Sequence, residues 1–274
     1  MTTLSAGLLE AMVRQHREGT ARDVKDWVAV EEPLLIRIAE EPVAVTMRTP
    51  GHDHELALGF LLSEGVVKSA RDLGSMFHCG RPGEAQNVIE VTAAPGAVLE
   101  WEPEAARRMT FVSASCGMCG RQSVDDLIAR VGVVQDDTRF ESEWIEGLGD
   151  QLIQAQGNFA LSGGVHAAAL WNRTRELIAV REDIGRHNAV DKVIGRAALD
   201  GALPLEGGTL LVSGRASFEI VQKAAVAAIP LIVSVSAPSS LAISAAVASR
   251  VTLIGFARGR RFNVYTGAER LILP

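Results

Sequence analysis

Thr209-Leu-Leu-Val-Ser213 is an uncharged apolar run, and similar runs follow at Leu231-Ile-Val-Ser-Val235 and Val251-Thr-Leu-Ile-Gly255. The segments between them, Phe218–Ala228 and Leu241–Ser249, are long and apolar enough to form helices. The order strand, helix, strand, helix, strand at this spacing is typical of right-handed crossovers between parallel strands. These residues therefore predict a parallel β-sheet covered by helices.

The chain before residue 111 predicts a smaller α+β unit. Its helix is Glu55–Gly65, where the apolar residues have helical spacing and a glycine stands at the end. Its predicted strands are Val28–Val30, Leu34–Ile38, Val43–Met47, Asn87–Thr92 and Thr110–Ser113. We accordingly divide the chain into an N-terminal extension (1–22), either a short polar helix or mobile, a small α+β domain (23–110) and an α/β domain (111–274).

The first half of the α/β domain predicts helices and a pair of strands. The elements are helices Val124–Val131 and Trp144–Ala155, strands Ala160–Trp171 and Glu176–Arg181, and helix Arg186–Leu199. With the C-terminal runs they complete a mixed α/β, or α+β, fold.

Composition excludes several classes of protein. A net charge of −6 over 274 residues gives no electrostatic reason to expect nucleic acid as a main partner. Three cysteines are too few for a disulfide framework, which favours a reducing cytoplasm. Ala224–Ser249 has no charged residue, but two prolines and six serines interrupt it, so we expect no membrane span.

Three predicted loops follow the carboxyl ends of the predicted parallel strands: Ser213–Ser217, Ser236–Ser240 and Phe256–Arg261. Ligands of open α/β sheets bind at this edge. The segments carry serines at predicted helix N-termini together with Arg215, Arg258, Arg260 and Arg261. Because guanidinium groups and free backbone N–H groups bind phosphate, the edge predicts a site for a phosphate-bearing ligand. The alternative is that the serines only cap helices and the arginines are solvated.

Cys116 and Cys119 lie in Ser113-Ala-Ser-Cys-Gly-Met-Cys-Gly120, a spacing that suits redox exchange, metal ligation or sulfur carriage. Structural zinc needs four ligands, and no second Cys/His pair of similar spacing exists. A deaminase zinc site needs a His-x-Glu motif, whereas His166 is followed by Ala-Ala. We therefore expect no metal site and interpret Cys79 as a buried or incidental thiol. The small residues around the pair favour sulfur carriage on a mobile loop over thioredoxin-like exchange.

Two histidines are further candidates. His187 stands at a predicted helix start, where it could contact phosphate or a cofactor, assist proton transfer, or cap the helix. His166 opens an apolar strand run and is predicted to be a core histidine.

Seven stretches together carry a resemblance to a known family. They are Thr49–Asp53, Gly59–Gly65, Ser115–Gly120, Gly163–His166, Arg181–Lys192, Val212–Arg215 and Gly255–Arg261. The longest, Arg181-Glu-Asp-Ile-Gly-Arg-His-Asn-Ala-Val-Asp-Lys192, is far more specific than a Cys-x-x-Cys pair. These stretches span most of the chain, which resembles the formate dehydrogenase accessory sulfurtransferase family (FdhD).

The resemblance implies a sulfur carrier. Such a protein takes sulfur from a cysteine desulfurase as a cysteine persulfide and passes it to the bis(molybdopterin guanine dinucleotide) molybdenum cofactor of formate dehydrogenase, with no permanent cofactor of its own. It implies Cys116 as the persulfide residue and Cys119 as its partner. It also implies a homodimer whose C-terminal three-layer αβα domain is similar to the cytidine deaminase fold.

The expected cofactor-binding residues combine the resemblance with the predicted edge. They are Phe256, Ala257, Arg258, Gly259, Arg260 and Arg261, together with Ser213, Gly214, Arg215 and His187. Phe256 could stack on guanine or be the last core residue of its strand. Two other functions stay open: a chaperone that binds the cofactor without carrying sulfur, and a thiol–disulfide oxidoreductase.

Overall fold

A computed structural model describes residues 7–80, 85–101, 128 and 131–273. Strands dominate the first part of the chain. Its elements are β1 (Leu8–Arg17), β2 (Thr20–Ala29), β3 (Glu32–Ile38), β4 (Glu41–Arg48), α1 (Asp53–Ser63), β5 (Leu73–His78) and β6 (Val88–Ala93). β4, β3, β6 and β5 form a four-stranded sheet in that order, and β1 pairs with β2 alone as a hairpin.

Helices and strands alternate in the second part. Its elements are β7 (Phe140–Glu141), α2 (Ser142–Ile145), α3 (Leu148–Ala155), α4 (Gly157–Ser162), β8 (His166–Trp171), β9 (Leu177–Asp183), α5 (Arg186–Leu199), β10 (Thr209–Val212), α6 (Phe218–Val226), β11 (Leu231–Ser234), α7 (Ser240–Ala248), β12 (Thr252–Arg258), β13 (Arg261–Thr266) and β14 (Leu271–Ile272). Short β7 and β14 pair with each other.

A six-stranded sheet in the order β13-β12-β11-β10-β8-β9 forms the centre of this part. β10, β11 and β12 are parallel, which confirms the arrangement predicted from the three apolar runs. β8, β9 and β13 are antiparallel to their neighbours. The carboxyl ends of the three parallel strands consequently meet at one edge.

The sheet lies between two apolar layers, because successive side chains of a strand point to opposite faces. Leu210 and Val212 of β10 join a large cluster that also includes residues of α5, α6 and α7. Leu211, between them, joins a smaller cluster with Leu148 and Leu152 of α3. The fold is therefore three-layered, helices on sheet on helices, as the predicted αβα class requires.

Helix α1 of the first part packs directly against α5 of the second. A Cβ atom on Gly59 would lie 1.9 Å from the backbone oxygen of Asp191, and one on Gly195 would lie 1.8 Å from that of Glu55. Only glycine permits the two backbones to approach this closely. The large apolar cluster accordingly contains residues from both parts.

The structure corrects four sequence predictions. Within the N-terminal extension, Leu8–Arg17 is a strand of a hairpin and not a short polar helix. The predicted helix Trp144–Ala155 is two helices, separated at Glu146 and Gly147. The predicted strand Ala160–Trp171 begins only at His166, because Gly157–Ser162 is helical. Phe256–Arg261 is not a loop, since β12 continues to Arg258 and β13 begins at Arg261.

Other predictions fall outside the described residues. They are the strand Thr110–Ser113, nearly all of the helix Val124–Val131, the domain boundary after residue 110 and the loop of Cys116 and Cys119. The division into domains stays a prediction. Among the described residues, none of the helices is long and apolar enough to cross a membrane.

Candidate functional site

The segments that follow β10, β11 and β12 lie side by side. Ser239 donates its backbone N–H to the carbonyl of Ala216 at 3.0 Å, and Phe256 donates to the carbonyl of Ser236 at 3.1 Å. The Ser234 hydroxyl donates to the carbonyl of Gly214 at 2.8 Å. These bonds join all three segments into one surface, which we call the strand edge.

A pocket of about 360 Å³ opens where β12 turns into β13. Phe256, Arg258, Arg261, Phe262 and Asn263 line it. Arg258 and Arg261 are directly opposite each other across the hairpin. Two guanidinium groups thus border one pocket at the end of a parallel strand, where an anionic ligand is expected.

Phe256 is the aromatic residue of this pocket. It is 45% exposed and has φ of 54°, a left-handed backbone conformation that is uncommon outside glycine. The irregular register between Gly255 and Arg258 accompanies it. The interpretation of Phe256 as a core residue is therefore wrong, whereas its neighbour Ala257 is buried.

The predicted arginines are not equivalent. Arg260, in the turn between the strands, pairs with Glu146 through Nε and Oε2 at 2.7 Å, and this pairing raises the pKa of its guanidinium. Arg260 is thus tied to the end of α2 and is not among the residues that line the pocket. Arg215 is exposed on the segment after β10.

The serines of the strand edge have different roles. Ser239 caps α7, since its hydroxyl accepts the N–H of Ala242 at 3.2 Å. Ser213 accepts the N–H of Ala167 at 2.9 Å. Ser217, at the start of α6, makes no such cap and instead lies 3.0 Å from Nε2 of His187. The capping interpretation thus holds for Ser239 but not for Ser217.

His187 joins the N-terminus of α5 to that of α6. Glu219 lies 3.7 Å from the same Nε2 atom. Burial, reinforced by the charge of Arg186, lowers the pKa of His187 to about 4, in spite of Glu219. A neutral imidazole therefore faces the strand edge at neutral pH, where it can exchange a proton or a hydrogen bond with a ligand.

His166 and Arg186 belong to the same surface, although sequence reasoning did not place them there. His166 is half-buried at the first position of β8, and a Cβ atom on Gly214 would lie 3.2 Å from its Nδ1. Burial, Arg186 and Arg215 lower its pKa. Nε of Arg186 is buried and has no hydrogen-bond partner among the described residues. His166 is thus an edge histidine and not the core histidine that its apolar surroundings predicted.

Acid titration of His187 gives a testable prediction. Its pKa in the folded protein lies below its ordinary value of 6.5, so the unfolded chain binds the extra proton more readily. The stability contributed by neutral His187 is complete above pH 6.5 and is lost as the pH falls toward about 4. The wild-type protein should lose free energy of unfolding between pH 7 and pH 4 in urea unfolding. We expect His187→Gln to reduce this loss by on the order of 2 kcal/mol. The same loss of stability in the variant as in the wild type, or a His187 pKa near 6.5 by NMR, would contradict a lowered pKa for this histidine.

Most of the long Arg181–Lys192 stretch is structural. Lys192, 1% exposed, pairs with buried Asp183 at 2.6 Å and donates to the carbonyl of Thr49 at 2.9 Å. Asp191 pairs with Lys223 at 2.7 Å. Asp183 and Asp191 are therefore buried carboxylates held by ion pairs.

Arg181 ties the same stretch to α1. It binds Glu55 through two hydrogen bonds of 2.5 and 2.7 Å. Burial opposes ionisation of Glu55, but the hydrogen bonds and charges of Arg181 and His52 outweigh it and lower its pKa to about 2. Of the twelve residues, Arg186 and His187 are the pair that faces the strand edge.

Cys79 is the cysteine among the described residues. It is half-buried with a free thiol, and its N–H bonds to the carbonyl of Val88. Cys116 and Cys119 lie outside the described residues. Their assignment as the sulfur-handling pair, and that of the edge residues as cofactor contacts, stay predictions.

The fold and the strand edge together define a class of protein. It is a three-layer α/β protein whose parallel strands end at a surface with arginines, an exposed phenylalanine, a neutral histidine and the N-termini of helices. Such a surface suits an anionic ligand with an aromatic group.

Comparison with known proteins narrows the class to one family. A model of the FdhD/NarQ family matches residues 29–272, and the chain belongs to this family. A sulfur carrier protein FdhD of Streptomyces avermitilis is 47% identical over 265 residues, covering 94% of this chain and 93% of its own. Proteins of the same description from Anaeromyxobacter and Mycobacterium tuberculosis are each 48% identical, and each match covers 90% of this chain and about nine-tenths of the relative.

A solved structure shares the fold. A crystal structure from Desulfotalea psychrophila, described as that of a formate dehydrogenase accessory protein, superposes with a TM-score of 0.76 at 25% identity. The match covers 97% of this chain and 100% of that one. The arrangement of sheets and helices described above is therefore that of a known relative.

Proposed function

We propose that the protein is a sulfur carrier that serves formate dehydrogenase. It receives sulfur from a cysteine desulfurase as a persulfide on Cys116 and delivers it to the bis(molybdopterin guanine dinucleotide) molybdenum cofactor. Relatives nearly half identical over most of the chain are named sulfur carrier proteins, which supports the sulfur role. The names of these relatives do not specify the sulfur donor or the sulfur acceptor, so both are part of our proposal.

The observation that carries the acceptor assignment is the pocket beside β12. Its exposed Phe256 offers a ring face to a purine, and Arg258 and Arg261 offer charge to the pyrophosphate. His187 and Arg186 add a neutral hydrogen-bonding group and a buried guanidinium nitrogen further along the edge. A guanine dinucleotide has these complementary parts in one molecule.

The sulfur chemistry uses the two cysteines, and a cellular thiol reductant then returns their disulfide to the dithiol for the next cycle. The thiolate of Cys116 attacks the outer sulfur of the desulfurase persulfide, so a new S–S bond forms and the desulfurase cysteine leaves as a thiolate. The thiolate of Cys119 then attacks the inner sulfur, which yields a Cys116–Cys119 disulfide and releases hydrosulfide to the acceptor. We propose that this occurs in the cytoplasm, where thiols stay reduced, and that the protein is a homodimer.

Loading the protein with a cysteine desulfurase and cysteine tests this role. We expect fragment-ion mass spectrometry of the digested protein to locate one added sulfur atom on Cys116, removable by reductant. A carrier with the opposite order of roles would show it on Cys119 instead. A chaperone that only binds cofactor would show no added sulfur. A thiol–disulfide oxidoreductase would show cycling of the pair with a thioredoxin-type partner and no persulfide.

Nucleotide binding tests the pocket separately. We expect Phe256→Ala to weaken binding of guanosine diphosphate roughly tenfold in calorimetric titration, because one stacking surface is lost. Phe159→Ala is the matched control, since Phe159 is similarly exposed (41% against 45%) but lies on α4. Equal affinities of the two variants would remove Phe256 from the site.

A further inference from the structure

The connection between α2 and α3 contacts the β12–β13 hairpin, which carries the proposed nucleotide pocket. We call this connection, Glu146–Gly149, the corner; it joins the end of α2 to the first turn of α3. Gly147 donates its backbone N–H to the carbonyl of Gly259, in the turn of the hairpin, at 2.9 Å. Nε of Arg260, the next residue of that turn, lies 2.7 Å from Oε2 of Glu146. The turn is therefore attached to a helical layer outside the sheet.

Both glycines of the corner are required by this contact. Gly147 has φ of 79°, a left-handed conformation that favours glycine and directs the chain into α3. Gly149 lies inside α3, where alanine would ordinarily be the better helix former. A Cβ atom on Gly149 would, however, lie 2.5 Å from the backbone oxygen of Ala257. The helix thus reaches the backbone between Phe256 and Arg258, two residues that line the pocket.

The corner is the firmly anchored side of the contact. Leu148 is fully buried and, with Leu152 one turn later, packs in the smaller apolar cluster. The hairpin is irregular by comparison, with a register shift before Arg258 and the left-handed backbone of Phe256. A non-glycine residue keeps such a conformation only where its surroundings hold it. The corner supplies that support on one side of the hairpin.

The ion pair between Arg260 and Glu146 acts locally. The side chain of Arg260 is 85% exposed and that of Glu146 is 23% exposed, and exposed pairs contribute little to global stability. This pair joins the turn to the corner, so it restricts the turn and not the whole fold. Arg258 and Arg261, the arginines of the pocket, stand on either side of the turn. Their placement around one ligand therefore depends on how the turn is held.

We propose that Glu146 and Gly149 are positioning residues of the nucleotide pocket. Glu146 acts through Arg260, and Gly149 acts by admitting the backbone of Ala257. The inference rests on the proposed function, because it takes this pocket to be the nucleotide site. Arg260 then holds the turn, and its guanidinium is not a phosphate ligand. A pocket that is already held in its binding geometry has less ordering to undergo when the ligand arrives.

Glutamine variants separate positioning from phosphate binding by Arg260. Glu146→Gln should bind guanosine diphosphate roughly threefold more weakly in calorimetric titration, because the turn is released. If Arg260 were a phosphate ligand, the same variant would bind more tightly, since its guanidinium would be free. Glu141→Gln is the matched control, because it breaks an exposed pair with Arg175 away from the pocket. Tighter binding by Glu146→Gln would overturn the proposal.

The double variant Glu146→Gln with Arg260→Gln tests the same point at unchanged net charge. It should bind the nucleotide no more weakly than Glu146→Gln alone, because the two residues act as one unit. Its affinity should also depend on salt as that of the wild type does, since no phosphate contact is lost. A weaker dependence on salt would identify Arg260 as a phosphate ligand and overturn the proposal.

Gly149→Ala tests the backbone contact. The added methyl group must displace the strand at Ala257, so affinity for guanosine diphosphate should fall roughly tenfold. Gly157→Ala is the control, since a Cβ atom there would meet no atom within 4 Å. A wild-type protein that binds no guanosine diphosphate would refute the pocket assignment together with this inference. Wild-type affinity in both Glu146→Gln and Gly149→Ala would refute the positioning role alone.

Discussion

Cys116→Ala is expected to abolish the activity of the formate dehydrogenase that the protein is proposed to serve, while that enzyme's abundance stays unchanged. The physical reason is that an alanine has no sulfur to form the persulfide, so no other group in the relay can replace it. The measurement is formate oxidation in extracts of cells that carry only the variant, with the dehydrogenase quantified by immunoblot. Normal activity in such cells would remove Cys116 from the relay.

Two further variants control the experiment. Cys79→Ala removes a half-buried thiol with no proposed role, and it should leave the dehydrogenase active. Cys119→Ala should give a smaller loss, because Cys116 can still be loaded but release of its sulfur is slower. If instead all three variants were equally inactive, misfolding and not sulfur transfer would be the common cause.

The C-terminal layer was predictable because its signal is local and strong. The runs at Thr209, Leu231 and Val251 are buried on both faces, so they are apolar throughout, as parallel strands between helices must be. Helix α5 was predicted with its observed bounds, Arg186–Leu199. Topology alone then placed the three following segments at one edge, and their hydrogen bonds bear this out.

The elements that were mispredicted depend on contacts that the local pattern does not show. β1 has no clear alternation of apolar and polar residues, because both of its faces are largely exposed. β12 continues past its apolar run through exposed Phe256 and Arg258, since pairing with β13 and not burial maintains it. The helix Gly157–Ser162 is stabilised by Glu182 of β9. The carboxylate of Glu182 accepts hydrogen bonds from the backbone N–H groups of Asn158 and Phe159.

The sequence predicted the position of the candidate site, the edge at the carboxyl ends of the parallel strands, more accurately than the residues that line it. Arg258 and Phe256 lie in the pocket, but Arg260 is engaged by Glu146, which is far away in sequence. His166 was missed because it is a half-buried position at the start of an otherwise buried strand, and the surrounding apolar residues gave the stronger signal. The Arg181–Lys192 stretch is distinctive chiefly because most of its charged side chains are buried and must form ion pairs. This is a requirement of the fold and not of the candidate site.

Lys192→Met is expected to be the most destabilising of the substitutions discussed. The variant leaves the carboxylate of Asp183, which is fully buried, without its cation. Asp183 keeps the N–H of Gly185 at 2.8 Å and the amide of Asn188 at 3.0 Å, so part of its charge stays solvated by dipoles. Breaking one side of a buried ion pair typically costs about 3–5 kcal/mol, and we expect a loss near the lower value in urea unfolding.

Lys68→Met is the matched control for this loss, and a double variant identifies its cause. Lys68 also pairs with a carboxylate, that of Glu100 at 2.6 Å, but both side chains are exposed, so its removal should leave the unfolding midpoint nearly unchanged. Asp183→Asn combined with Lys192→Met should recover part of the stability, because no unpaired charge then remains buried. If the double variant were less stable than Lys192→Met by the full effect of Asp183→Asn, the two groups would act independently. The stretch that carries the family resemblance would then owe its stability to packing and backbone bonds instead of this ion pair.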